Sequence, residues 1–235
     1  TYPGVNPAWG VSSGGGTIVG IDEGILLTSG GVSVAPGPND DFGAGVQNFG
    51  LGDPQLEALL DSDFPTHDAS VLTIVLTPTG NQVQFQYVFA SEEYNEYVGS
   101  EYNDIFAFFV ANTNFAVLPG TNTPVAINNV NCGFDDYPPT NCNYYFDNEN
   151  GALNTQFDGL TTVLTFTAPV NPGVQNTMRL AIADVSDPIY DSAVFLLGNS
   201  LTDVGGCVPN QTTACLLGSR YEVKVRWTDY QHATR

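Results

Sequence analysis

Across its first 219 residues the chain carries 23 Asp and Glu side chains and one basic side chain, Arg179. Any fold that buries some of those carboxylates cannot balance them with nearby lysine or arginine. An unbalanced buried charge is costly, so it must lose its charge or find another counter-ion. The whole chain of 235 residues has a formal net charge of −20. Four of its five basic side chains, Arg220, Lys224, Arg226 and Arg235, fall in residues 220–235 beside only Glu222 and Asp229, which leaves about −22 on the body and +2 on the tail. So few cations cannot neutralise a run of phosphates, which excludes most nucleic-acid binding, and they disfavour anionic membranes. No apolar run approaches the roughly 20 residues of a membrane span, so no membrane insertion is expected.

With 42% hydrophobic and 11% aromatic residues the chain can still build a core, so the charge does not imply disorder. The periodicity is that of strands. Val83, Phe85, Tyr87 and Phe89 alternate with Gln82, Gln84 and Gln86, which predicts a half-buried strand, and residues 105–110 are apolar on both faces, as in a central strand. Further strands are predicted at residues 24–28, 70–76, 125–128, 161–167, 178–183 and 193–197, punctuated by Gly, Pro and Asn clusters. One short helix is predicted over residues 55–60, with Asp53 as N-cap and Pro54 in the first position. The pattern indicates an all-β, jelly-roll-like β-sandwich with one short helix and long loops, spanning residues 1–219. Residues 129–154 read as a surface insertion.

Four cysteines form two close pairs, Cys132 with Cys142 and Cys207 with Cys215. Their spacing is not that of a zinc site, and the two histidines are distant, so two local disulfides and an extracellular setting are the better reading.

The strand phase then raises the question of charge. The inward parity of residues 83–89 continues to Ser91 and Glu93; Asp184 inherits the phase of Leu180 and Ile182; Asp104 directly precedes the apolar run 105–110. With lysine and arginine missing, hard divalent cations are the economical counter-charge. Calcium fits carboxylate, Asn and carbonyl ligands in irregular loops better than magnesium does. The candidate ligands are Asp68, Glu92, Glu93, Glu96, Asn103, Asp104, Asp184, Asp187 and Asp191. No EF-hand loop is present. No nucleophile elbow or supported triad appears, and some carboxylate pair is inevitable at this density, so no enzymatic activity is expected.

Residues 220–235 form a second unit. Tyr221, Val223, Val225 and Trp227 alternate with charged residues, which predicts an amphipathic strand. It can pair within its own chain, begin a further module, or be donated to a neighbouring subunit, with those four residues as the interface. Donation would give a head-to-tail homopolymer, a pilus-like surface filament, favoured by the charge contrast between tail and body. The other reading is a calcium-dependent adhesin or surface-glycan binder, with Tyr137, Tyr144, Tyr145 and Phe146 available to stack on sugars.

The ordered stretches GILLTSG (24–30), DASVL (68–72), YVFASEEY (87–94), YNDIFAFF (102–109), FDGLTTVL (157–164), LAIADVSD (180–187) and YDSAVF (190–195) resemble the successive motifs of the choice-of-anchor L domain. The resemblance implies a bacterial surface or secreted protein. It implies no catalytic residue.

Overall fold

A computed structural model describes residues 7–60 and 63–204, with the backbone of 224–227. In chain order the described strands are β1 (Trp9–Ser13), β2 (Glu23–Thr28), β3 (Thr66–Leu76), β4 (Gln82–Ser91), β5 (Ile105–Val110), β6 (Thr113–Asn114), β7 (Val125–Ala126), β8 (Tyr145–Asp147), β9 (Gly159–Thr161), β10 (Leu164–Pro169), β11 (Asn176–Val185), β12 (Ser192–Leu197), β13 (Thr202–Val204) and β14 (Lys224–Trp227). One antiparallel sheet runs β1-β2-β12-β4-β9-β8, with β10 and β13 also on β4. The other runs β14-β3-β11-β5-β6, with β7 also on β5. The two pack face to face as the expected β-sandwich.

Alternation places the core between them. Val83, Phe85, Tyr87 and Phe89 from β4 meet Phe106 and Phe108 from β5, Leu180 and Ile182 from β11, and Leu72 and Ile74 from β3. Ring contacts cross the sandwich: Phe85 meets Phe108 edge-on at 5.2 Å, and Tyr87 lies 5.2 Å from Phe106. Such pairs add specificity to the burial that drives the packing. The outer faces are covered as well. Val88, Ala90, Ala193 and Phe195 lie under Val19, Ile21, Val34 and Ala35 from the long β2 approaches, while Ala107, Phe109, Ala181 and Ala183 lie under the helix.

That helix, α1, spans Pro54–Glu57. Asp53 Oδ1 accepts from Gln55 N at 2.9 Å and Leu56 N at 3.1 Å, the cap the sequence predicts, and buried Leu56 anchors the turn to the sheet. Arg179 forms an ion pair with Asp53, so the body's one arginine is engaged here, with its guanidinium 5.9 Å from the Phe109 ring.

Three expectations need correction. Residues 161–167 are not one strand: β9 and β10 both pair with β4, but Ala90 opposes Leu160 while Tyr87 opposes Leu164, so one extra residue bulges between them. Thr161 Oγ1 accepts from Phe89 N at 3.0 Å across this break. The strand predicted at 125–128 stops at Ala126 and turns into a 3₁₀ turn over Ile127–Asn129. Residues 129–154 are not a decoration on the surface. Val130, Asn131 and Asn148 are fully buried, and Tyr145 begins β8 at the edge of the first sheet.

At the other sheet's edge, β14 pairs antiparallel with β3, Lys224 opposite Val75 and Trp227 opposite Leu72.

Candidate cation site

Strands from both sheets end their inward-facing parity in polar groups at the same end of the sandwich. On β11, Asp184 follows Leu180 and Ile182; Asp104 precedes Phe106 and Phe108; Ser91 and then Glu93 follow Tyr87 and Phe89; Ser192 precedes Val194 and Leu196; Ser29 follows Leu27. All six are buried. The serines knit this floor together. Ser192 Oγ donates to Asp104 Oδ2 at 2.6 Å and stands 2.8 Å from Ser91 Oγ, which accepts from Glu93 N at 2.9 Å. Asp104 Oδ1 accepts from Val185 N at 2.9 Å. By contrast, neither carboxylate oxygen of Asp184 nor Oε2 of Glu93 has a hydrogen-bond partner. The β5–β11 register ends at Ile105 opposite Ala183, and one more step sets Asp104 against Asp184. Like charges in directly opposed positions repel.

The outer face repeats the arrangement. Ser91 opposes Ser192 between β4 and β12, so the next pair is Glu92 with Asp191, on the side of Ala90 and Ala193. The loop after β2 closes over this pair. Asp191 accepts from Gly31 N at 2.8 Å and Val46 N at 2.9 Å, and Glu92 Oε2 accepts from Ala44 N at 3.2 Å. Oε1 of Glu92 has no partner. The approach is tight enough that a Cβ at Gly30 would sit 2.1 Å from Asp191 Oδ1. Asp158, buried beside Glu92, accepts from Asn39 Nδ2 at 2.6 Å.

Asp68 owes its position to a bulge. Ser70 opposes Ile182 but His67 opposes Asp184, so β3 has one extra residue there, and Asp68 takes φ +47°. Its carboxylate accepts from Asn48 N at 2.8 Å and also from Gly50 N, pinning the same loop.

Burial is the main cause of every shift in this region, and neighbouring carboxylates add to it. Glu92 is pushed up to about 9, with Asp158, Asp191 and Asp41 contributing. Glu93 rises to about 10, with Asp104, Asp187 and Glu96 contributing. Asp104 and Asp191 rise to about 7, held back by the hydrogen bonds each accepts. Asp158 rises to about 6, and Asp184 rises well above its ordinary value, through burial and then Asp104. Without a counter-ion Glu92 and Glu93 hold protons at neutral pH.

The nine candidates therefore divide. Glu93, Asp104 and Asp184 gather on the inner face, Glu92 and Asp191 on the outer. Asp68 serves the loop. Glu96 is exposed, Asn103 Oδ1 accepts from Asn128 N at 2.8 Å, and Asp187 Oδ1 caps its own turn at Ile189 N, 3.0 Å, so these three lie at the rim. Asp158 was missed: it lies in a turn before a strand too short to show a phase. Among the described residues no three acidic, His or Cys side chains already stand together at metal-ligand spacing.

Elsewhere, Cys132 and Cys142 form the expected disulfide. Cys207, Cys215, Tyr221 and Val223 lie outside the described residues; Val225 and Trp227 belong to β14. Of the loop aromatics, Tyr145 is buried, Tyr137 and Tyr144 pack against the core, and Phe146 alone is well exposed, so packing takes up most of the surface a sugar would stack on.

Fold and site together define a two-sheet antiparallel β-sandwich with buried, uncompensated carboxylates at one end. The chain belongs to the choice-of-anchor L domain family, whose model matches residues 3–202. Membership marks it as a bacterial surface-associated protein. No curated protein and no solved structure matches it significantly. Among the described residues no helix is long and apolar enough to cross a membrane.

Proposed function

We propose that the chain is a non-enzymatic structural subunit of the bacterial surface, stabilised by calcium, that polymerises head to tail by exchanging its C-terminal strand. The observation that carries the reading is the placement of β14. It occupies the open edge of β3, in the second sheet, whereas the preceding element β13 lies on β4 in the first. Residues 205–223 connect the two, and nineteen residues can span up to about 65 Å. The same β3 edge can therefore be filled by the β14 of a neighbour with the same register, an exchange that needs no new interface. The basic tail and acidic body favour that docking between copies.

Calcium suits the acidic end on its chemistry. The orphaned atoms at this end are hard carboxylate oxygens, the Ser91 and Ser192 hydroxyls lie beside Asp104, and the one arginine of residues 1–219 is engaged at α1. Bound there, calcium would supply the positive charge that lets Glu93, Asp104, Asp184 and Glu92 stay ionised and buried.

Negative-stain electron microscopy of the purified chain, with calcium and after its removal, tests the reading. Filaments in calcium that disappear when residues 220–235 are deleted are the expected result. Uniform monomers in calcium would overturn polymerisation and leave the adhesin as the better account.

A further inference from the structure

We infer that the acidic end takes two divalent cations at separate sites, back to back across the first sheet, and not one ion shared by the cluster. This rests on the calcium reading above and goes further by assigning the ligands.

Glu92 and Glu93 are consecutive in the bend just after β4, where Glu92 N still donates to Asp191 O at 3.1 Å and Glu93 N instead donates to Ser91 Oγ at 2.9 Å. Their surroundings differ. Glu92 faces Asp191, Asp158 and the Ala44 amide on the outer side; Glu93 faces Asp104 and Asp187 on the inner side. The hydrogen-bonded Ser91–Ser192 pair is the last of the β4–β12 register before them.

Each side also has its own orphaned atoms. Inside, Asp184 is 1% exposed with both oxygens unpartnered, and Glu93 is 2% exposed with Oε2 unpartnered. Outside, Glu92 is fully buried with Oε1 unpartnered. Each side has a directly opposed acidic pair, Asp104 with Asp184 and Glu92 with Asp191, and a third buried carboxylate, Glu93 inside and Asp158 outside. Six buried carboxylates leave four charges uncovered by a single divalent ion. Two ions leave one on each side, where Ser192 and the Gly31, Val46 and Ala44 amides already donate. The inner site is thus Glu93, Asp104 and Asp184; the outer is Glu92, Asp158 and Asp191.

The test is calcium stoichiometry on the full chain by native mass spectrometry and calorimetry, for the unaltered protein and for Glu92→Gln, Glu93→Gln and Asp158→Asn. Two ions per chain are expected. Glu92→Gln and Asp158→Asn should weaken one binding step by about tenfold or more and leave the other unchanged, while Glu93→Gln does the converse. One ion per chain, or one step weakened alike by Glu92→Gln and Glu93→Gln, overturns the two-site assignment while leaving calcium binding intact. No bound calcium in the unaltered protein overturns the calcium reading itself. If either glutamate variant does not fold, the stoichiometry of the unaltered chain and the Asp158→Asn response decide.

Discussion

Removing calcium should make stability depend steeply on pH, in the direction opposite to ordinary acid unfolding. In the metal-free fold Glu92 has its pKa raised from 4.5 to about 9. The native state therefore keeps a proton that the unfolded chain releases above about pH 4.5, and the stability this provides is lost as pH rises towards 9. Between pH 5 and 8 that is three pH units at about 1.4 kcal/mol each, or about 4 kcal/mol from Glu92 alone. Glu93, raised from 4.5 to about 10, acts in the same direction. Together they amount to about 4–8 kcal/mol, against total stabilities of about 5–15 kcal/mol for ordinary domains. Metal-stripped protein followed by circular dichroism in urea should be folded at pH 5 and close to unfolded at pH 8, and saturating calcium should restore it at pH 8. A metal-free urea midpoint that is constant or rises from pH 5 to 8 would refute the reasoning, because the carboxylates would then have compensation of another kind.

Other outcomes follow from single contacts. Phe106→Ala removes a fully buried ring that packs on Tyr87 and should cost about 3–5 kcal/mol, seen as a lower urea midpoint in calcium. Gly30→Ala puts a methyl group where Asp191 Oδ1 now sits, so it should weaken calcium binding while the far end of the sandwich keeps its hydrogen-exchange protection. Thr73 opposes Arg226 in the β3–β14 register, so oxidation of a Thr73→Cys, Arg226→Cys double variant should give ladders on a non-reducing gel if strands are exchanged, whereas a single monomer band points to pairing within one chain.

Strand phase is a local property, and it was legible. The alternation before Ser91, the apolar run of β5 and the Asp53 cap were all read correctly, and so was the continuation of buried faces into Glu93 and Asp184. Register between distant strands is not local. Nothing near residue 104 says that it will oppose residue 184, nor does anything near 92 point to 191, so the opposed pairs emerge only from the topology. The two bulges, at Asp68 and between β9 and β10, are likewise set by the partner strand. The candidate list therefore mixed carboxylates buried at this end of the sandwich with the rim residues Glu96, Asn103 and Asp187.

The β3–β14 pairing also has a history along the chain. Between Leu76 and Lys224 lie 147 residues, so β3 is made well before its edge partner. Throughout synthesis and export this eleven-residue strand offers an unfilled row of backbone donors and acceptors, an invitation to indiscriminate pairing. A partner so distant in sequence also closes slowly. Folding of this protein thus depends on keeping one sheet edge apart from other strands until its own β14, or a sibling's, is in place.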